Sequence, residues 1–292
     1  MSPRPALLVN LSFPQLAESA SELPADGVGL MRAEFLFLQS GTHPQTVIED
    51  GGEQQFIDLL RAGMEQVARA FHPRPVTYRA SDLKSNEYRD LAGGDRFEPE
   101  EANPMLGRRG VFRYLDSPAT FGLELRALRA ARRSGLHNLR LMLPFVRTVA
   151  ELREVRAIVT DAGCYEEPGF ELWAMAEVPS TALIPESFAD EVDGLSIGSN
   201  DLAQLVLGAD RDSAALQERY SASDPAVLTA IRRIIDGAHA RRRPVSICGD
   251  QPSRDPALVE ALVDAGIDSI SVLPSALEDT RALLDRLTGA VR

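Results

Sequence analysis

Short apolar segments alternate with longer stretches of helical periodicity, and this alternation constrains the fold more than any other feature of the sequence. The predicted strands are ALLVNLS (6–12), GVGLMR (27–32), PVTYRA (75–80), LRLMLP (139–144), FELWAMAEV (170–178), VDGLSIG (192–198), PVSICG (244–249) and DSISVL (268–273). Most are continuous apolar runs, which is typical of parallel strands covered on both faces. Eight strand–helix units in 292 residues predict one α/β domain over 1–292, a (β/α)8 TIM barrel. An open doubly wound sheet is the alternative.

Three of the intervening stretches have a clear amphipathic pattern and are predicted helices: 148–163, 225–243 and 255–266. In the third, Asp255 is the predicted N-cap and Gly266 the predicted C-cap. These helices would cover the outer face of the sheet.

One polar, Gly/Pro-rich stretch, residues 81–108, interrupts the alternation. A loop this long inside a compact domain usually has a function or is disordered. We therefore predict a loop insertion here that is mobile until ligand binds.

Charge and cysteine content narrow the partners and the compartment. The net charge of −12 argues against nucleic acid and anionic membranes as partners. No apolar stretch approaches the roughly 20 residues needed to cross a bilayer. The two cysteines, Cys164 and Cys248, cannot form a disulfide framework, which is typical of a reducing compartment. We expect a cytoplasmic protein.

Reactive side chains follow several predicted strands, where barrel enzymes build their active sites. Glu177 and Asp201 lie at the ends of neighbouring strands and offer the hard oxygen ligands that suit Mg²⁺. Alternatively, Glu177 pairs with an arginine and Asp201 caps the following helix. Cys248 is either a small core residue or an acid–base group whose pKa is lowered by a cationic, metal-bearing site.

Four arginines are candidate anion ligands, because the guanidinium group matches both carboxylate and phosphate. They are Arg32, Arg79, Arg109 and Arg211; a solvated surface role is the alternative for each. His43, in GTHPQ, resembles a phosphohistidine site only superficially, because a proline follows it within a loop. His72, His137 and His239 are predicted to be structural or solvated, and none of the four histidines is assigned chemistry.

Six segments in order resemble a known family: DGVGLMRAEFLF, NPMLGRRG, MLPFVRTVAEL, AEVPSTALI, DGLSIGSNDLAQLVLGADRDS and SICGDQPS. The chain from about residue 6 to 288 is similar to the C-terminal phosphoenolpyruvate (PEP)/pyruvate-binding domain of the PEP-utilising enzymes. These include PEP synthase (pyruvate, water dikinase), pyruvate, phosphate dikinase and enzyme I of the sugar phosphotransferase system. EYRDLAGGDRFEPEEANPMLG and SNDLAQLVLGADRDS look closest to PEP synthase.

The resemblance implies a role for each matched residue. Glu177 and Asp201 would hold the Mg²⁺ that chelates pyruvate, and Asp201 would also belong to the substrate-binding residues. Ser199 and Asn200 would donate hydrogen bonds to the substrate. Cys248 would exchange the proton on the methyl carbon of pyruvate.

The arginines would have the anion-binding roles of the family. Arg32, Arg79 and Arg109 would bind the substrate carboxylate and the transferring phosphoryl group, with Arg211 nearby. Arg32 and Arg79 would join Cys248 as catalytic residues.

The implied activity is phosphoryl transfer between a phosphohistidine and the pyruvate enolate, in a homodimeric enzyme of gluconeogenesis. The sequence has no Gly-rich phosphate loop and no convincing phosphohistidine motif, so the phosphohistidine domain would act in cis in a longer enzyme or in trans. We expect an excised C-terminal domain rather than a stand-alone barrel. The alternatives are an Mg²⁺-dependent C–C lyase acting on CoA esters, like the citrate lyase β group, and a non-catalytic PEP- or pyruvate-sensing module.

Overall fold

Eight parallel strands form a closed barrel in chain order in the computed structural model, which describes residues 4–217 and 219–289. The strands are β1 (Ala6–Leu11), β2 (Gly27–Arg32), β3 (Val76–Arg79), β4 (Leu139–Leu143), β5 (Leu172–Ala176), β6 (Gly194–Gly198), β7 (Val245–Cys248) and β8 (Ser269–Val272). β8 closes the barrel against β1, with Ser269 opposite Ala6. The predicted (β/α)8 barrel is confirmed, and the open sheet is wrong.

Helices follow the strands and surround the barrel. The α-helices are α1 (Ala17–Ser21), α2 (Glu34–Ser40), α3 (Pro44–Glu49), α4 (Glu53–Phe71), α5 (Ser85–Arg89), α6 (Val111–Asp116), α7 (Pro118–Arg133), α8 (Val149–Asp161), α9 (Pro179–Leu183), α10 (Pro185–Ala189), α11 (Ser199–Leu207), α12 (Ala214–Gln217), α13 (Pro225–Ala240), α14 (Gln251–Arg254), α15 (Pro256–Asp264) and α16 (Leu277–Thr288). Short 3-10 turns occur at Pro14–Leu16, Gly94–Arg96, Cys164–Glu166 and Pro274–Ala276. Among the described helices, none is long and apolar enough to cross a membrane.

The predicted starts of the three helices agree with the structure better than the predicted ends. The Asp255 side chain accepts hydrogen bonds from the backbone N–H groups of Ala257 and Leu258 and so caps α15 as predicted. Gly266 lies just past the end of that helix with a φ of 81°, a conformation that favours glycine. α13 ends at Ala240, three residues before the predicted end.

Two apolar layers hold the barrel together. The larger one lies between the strands and the surrounding helices. A second, small cluster fills the barrel interior and consists of Leu30, Met142, Trp173, Met175 and Cys248. Because the interior is packed, the barrel is not a pore, and ligands are expected above it, where the strands end.

The insertion over 81–108 is a packed part of the domain that contains α5 and a 3-10 turn. Its buried Glu98 accepts hydrogen bonds from both terminal nitrogens of Arg113. The Nε2 atom of His43 lies 3.0 Å from Glu98 Oε1, and its Nδ1 accepts from the backbone N–H of Gln45 at the start of α3. His43 thus links the start of α3 to the insertion. Ligand-dependent ordering of the insertion stays a prediction.

Candidate active site

The residues predicted from strand ends meet at the carboxyl end of the barrel. Arg32, Arg79 and Cys248 are the last residues of β2, β3 and β7, while Glu177 directly follows β5. One small cavity is lined by eight of the nine predicted residues: Arg32, Arg79, Glu177, Ser199, Asn200, Asp201, Arg211 and Cys248. A wider cavity of about 240 Å³ shares Arg32, Asn200 and Arg211 with it and forms the outer approach.

Three buried carboxylates lie together in this site. Asp82, Glu177 and Asp201 each offer an oxygen within 4.8 Å of the others. Burial and the negative charges of Asp201 and Asp82 together raise the pKa of Glu177 to about 8. A divalent cation such as Mg²⁺ prefers oxygen ligands and would offset the repulsion between the three carboxylates. These residues therefore fit that ion.

Asp82 is a site residue that the sequence analysis missed. It lies three residues beyond Arg79, inside the insertion that was set aside as a loop, and its backbone N–H donates to Glu34 Oε1 at 2.7 Å. Its signal was a carboxylate two residues past the predicted strand 75–80, a position comparable to that of Asp201, three residues past the predicted strand 192–198.

Arg109 is the ninth predicted residue and joins two of the carboxylates. Its Nη2 lies 2.6 Å from Asp82 Oδ2, and its Nη1 lies 3.2 Å from Asp201 Oδ1. Its guanidinium carbon stacks 4.0 Å from the centre of the Phe145 ring. Burial lowers the pKa of Arg109, but the combined effect of Asp82 and Asp201, which raise it, is larger. The net shift is upward, so the guanidinium group stays cationic.

Two further arginines are also held by carboxylates. Arg79 Nη2 donates to Glu34 Oε1 at 2.8 Å, so Glu34 holds both Arg79 and the backbone of Asp82. Arg211 Nη1 donates to Asp201 Oδ2 at 2.8 Å. Asp201 lies in the first turn of α11, whose N-cap residue is Gly198, so Asp201 serves as an arginine partner instead of as the helix cap.

Arg32 differs from the other three arginines. Within residues 4–217 and 219–289 it makes no ion pair with a carboxylate, and it lines both the inner and the outer cavity. It is therefore the predicted anion ligand whose charge is least committed to the protein itself.

Cys248 is enclosed among apolar side chains at the end of β7. Its Sγ accepts a hydrogen bond from Ser196 Oγ at 3.6 Å. Burial raises the pKa of Cys248 to about 11, outweighing the hydrogen bond and the nearby charges of Arg79 and Arg32, which lower it. The predicted lowering of this pKa is therefore wrong, because the thiol faces the packed barrel interior as well as the cationic mouth.

Ser199 and Asn200 lie where α11 begins and contact the chain leaving β7. Ser199 Oγ donates to the carbonyl of Cys248 at 2.9 Å, and Asn200 Nδ2 lies 3.5 Å from Asp250 Oδ2. Gly249 has a φ of 117°, and a Cβ at this position would lie 2.3 Å from Ser199 Oγ. These contacts fix the backbone beside the thiol; donation to a substrate stays a prediction.

Comparison with known proteins identifies the family. The family model described as "PEP-utilising enzyme, PEP-binding domain" matches residues 4–288. A probable phosphoenolpyruvate synthase of Staphylothermus marinus is 51% identical over 285 residues, 95% of this chain and 34% of that protein. The phosphoenolpyruvate synthase of Aeropyrum pernix is 48% identical over 283 residues, 94% of this chain and 34% of that protein. The chain thus spans about a third of the length of these relatives.

A solved structure, RipC from Yersinia pestis, aligns with a TM-score of 0.42 and 15% identity over 76% of this chain and 82% of that one. At this level of similarity the match supports neither the fold assignment nor the site. The match over residues 4–288 and the identity to the two synthases do identify the family. The chain belongs to the PEP-utilising enzymes, as a PEP-binding domain.

Proposed function

We propose that this domain carries the pyruvate half-reaction of a PEP synthase: phosphoryl transfer between a phosphohistidine and the enolate of pyruvate. The observation that carries the proposal is the placement of Cys248, Arg32, Glu177 and Asp201 around one cavity. The relatives named phosphoenolpyruvate synthase support it. The phosphohistidine domain would act in cis or in trans, and the enzyme would be a cytoplasmic homodimer of gluconeogenesis.

Glu177 and Asp201 would hold Mg²⁺, with Asp82 completing the carboxylate cluster. When bound, the ion supplies positive charge beside the carboxylate and carbonyl oxygens of pyruvate. The protein's own part is to keep the three carboxylates in place, which it does through Arg109 and through the backbone N–H of Phe145, a donor to Glu177 Oε1 at 2.7 Å.

The reaction needs one proton transfer and one exchange of bonds at phosphorus. The Cys248 thiolate removes a proton from the methyl carbon, and the electron pair of that C–H bond forms the enolate. The enolate oxygen then attacks phosphorus, so that an O–P bond forms while the P–N bond to histidine breaks. Arg32 and Arg79 neutralise the charge spread over the carboxylate and phosphoryl oxygens.

The buried thiol suits the reverse direction as it stands. With a pKa of about 11, Cys248 carries its proton at neutral pH and can deliver it to the enolate formed from PEP. In the direction of PEP synthesis the thiolate is required, and the positive charges of Arg79 and Arg32 favour it.

Calorimetric titration with oxalate, a planar analogue of the enolate, tests the site. We expect binding that requires Mg²⁺ and is lost in Glu177→Ala. The matched control is Glu166→Ala, because the Glu166 side chain is 74% exposed and precedes β5, at the opposite end of the barrel. Oxalate binding that is independent of Mg²⁺, or unchanged in Glu177→Ala, would overturn the metal assignment.

Hydrogen–deuterium exchange at the pyruvate methyl group, followed by NMR in D₂O with Mg²⁺, tests the chemistry without a phosphoryl donor. The proposal requires exchange that is lost in Cys248→Ala. A sensing module would bind oxalate without exchanging methyl protons. A CoA-ester lyase gives no role to the thiol, and neither the family match nor the named relatives favour it.

A further inference from the structure

We propose that Ser196 is a positioning residue for Cys248, whose hydroxyl orients the thiol and stabilises the thiolate during proton transfer. The inference rests on the proposed function, since it assigns a partner to the acid–base residue. Ser196 lies in the middle of β6, and no role is assigned to it from the sequence. Its Oγ donates to Cys248 Sγ at 3.6 Å.

The register between β6 and β7 explains why these two side chains meet. Gly198 lies opposite Cys248 and Ser196 lies opposite Ser246. Because side chains alternate along a strand, Ser196 is on the same face of β6 as Gly198, two residues before the position opposite Cys248. A Cβ at Gly198 would lie 2.3 Å from Glu177 Oε2, so glycine is needed at this level of the strand. Ser196 is 1% exposed, so water does not compete for this contact.

The Cys248 sulfur lies between apolar neighbours and a few charged groups, so few other polar contacts act on it. Leu30 from β2, Met142 from β4, and Trp173 and Met175 from β5 form one buried apolar cluster with Cys248. The charges that act on it are those of Arg79 on β3 and Arg32 on β2, which favour the thiolate, and that of Glu177 after β5, which opposes it.

Of the interactions that lower the pKa of Cys248, the hydrogen bond from Ser196 is the largest, ahead of Arg79 and Arg32. A hydroxyl donor stabilises an anionic acceptor more than a neutral one. Removing the hydroxyl should therefore disfavour the thiolate while leaving the ligands of the substrate and the metal in place.

The test is the rate at which iodoacetamide alkylates Cys248, measured by mass spectrometry between pH 8 and 9 in a Cys164→Ala background. The thiolate attacks carbon, forming an S–C bond and releasing iodide. For a rise of about one unit in the pKa, the thiolate fraction falls tenfold and its higher nucleophilicity offsets part of that loss. We expect Ser196→Ala to react about three- to fourfold more slowly.

The direction of this effect separates the proposal from a change in access. Removing the hydroxyl enlarges the space beside the sulfur, which would speed alkylation. Ser246→Ala is the matched control, because Ser246 is a buried serine on the adjoining strand whose Oγ has no hydrogen-bond partner among the described residues. It should react like the parent. Ser196→Thr, which keeps a hydroxyl, should restore the parent rate, and Ser196→Gly removes the same bond if the alanine variant is insoluble.

Methyl exchange in pyruvate gives the second readout. Ser196→Ala should lower kcat for exchange about tenfold while KM for pyruvate and the affinity for oxalate stay unchanged, whereas a merely structural role would weaken oxalate binding. Alkylation in Ser196→Ala that is as fast as in the parent, or faster, overturns the inference. The proposed function fails separately, if Cys248→Ala still exchanges methyl protons.

Discussion

Replacing Arg109 with methionine is expected to destabilise the protein by about 3–5 kcal/mol, the range for removing one partner of a buried ion pair. The arginine side chain is 1% exposed, and its partners Asp82 and Asp201 are 2% and 3% exposed. Methionine preserves most of the volume, so the loss reports the two uncompensated carboxylates and the contact with the Phe145 ring. In thermal unfolding the loss corresponds to a fall in Tm on the order of 10 °C.

The matched control is Arg126→Met on α7. Arg126 also pairs with a carboxylate, that of Glu53, at 3.2 Å, but the two side chains are 55% and 41% exposed. Exposed pairs contribute about 0–1 kcal/mol, so the control should unfold close to the parent temperature.

The pH dependence provides the sharper check. In the parent, burial raises the pKa of Asp82, but Arg109 and Arg79 lower it further, so the net shift is downward. That stability is present above the pKa of the unfolded carboxyl, about 3.9, and is lost as pH falls through the lower folded value. Without Arg109 the folded state instead takes up a proton in mild acid, so the deficit of the variant should shrink between pH 7 and 5. A deficit below 1 kcal/mol, or one that grows as pH falls, would refute the reasoning.

Three further predictions concern single positions. Burial raises the pKa of Glu124 to about 7. The protein should therefore lose roughly 3 kcal/mol of unfolding free energy as pH rises from about 4.5 to about 7, because the folded state disfavours the charged carboxylate. Urea unfolding of Glu124→Gln should not show this loss. Gly249→Ala should lose oxalate affinity in calorimetry and unfold at lower urea than Gly51→Ala, because only the first Cβ would collide with Ser199, although both glycines have positive φ. Arg32→Met should weaken oxalate binding at least tenfold while changing the free energy of unfolding by less than about 1 kcal/mol, since no described carboxylate depends on it.

Local sequence pattern was sufficient for the fold. All eight predicted strands exist, and each observed boundary lies within two residues of the predicted one. Parallel strands that are buried on both faces produce continuous apolar runs, which a single sequence displays directly. The end of α13 was not predictable in this way, because Arg241, Arg242 and Arg243 are good helix formers and the chain turns at Arg242 with a φ of 57°.

The candidate site could be predicted where chemistry follows from strand position, and not where it follows from packing between distant segments. Arg32, Arg79 and Cys248 end their strands, and the closure of the barrel brings them together. Asp82 enters the site through its contacts with Arg109 and Glu34, which are 27 and 48 residues away in the chain. The direction of the Cys248 pKa shift likewise depends on the residues behind the sulfur, which a strand-end reading does not weigh.

Charge balance links the two ligands of the proposed site. Asp82, Glu177 and Asp201 lie among Arg79, Arg109 and Arg211, so the buried carboxylates already have close to their full complement of cations. Mg²⁺ alone would add two positive charges beside these arginines, and oxalate alone would add two negative charges beside the carboxylates; together they add none. Each ligand should therefore bind more tightly when the other is present, and by the same factor, because coupling between two binding equilibria is reciprocal. Calorimetric titration of Mg²⁺ with and without oxalate, and of oxalate with and without Mg²⁺, measures this factor twice. Independent binding, or weaker binding of one ligand in the presence of the other, would contradict a shared, charge-balanced site.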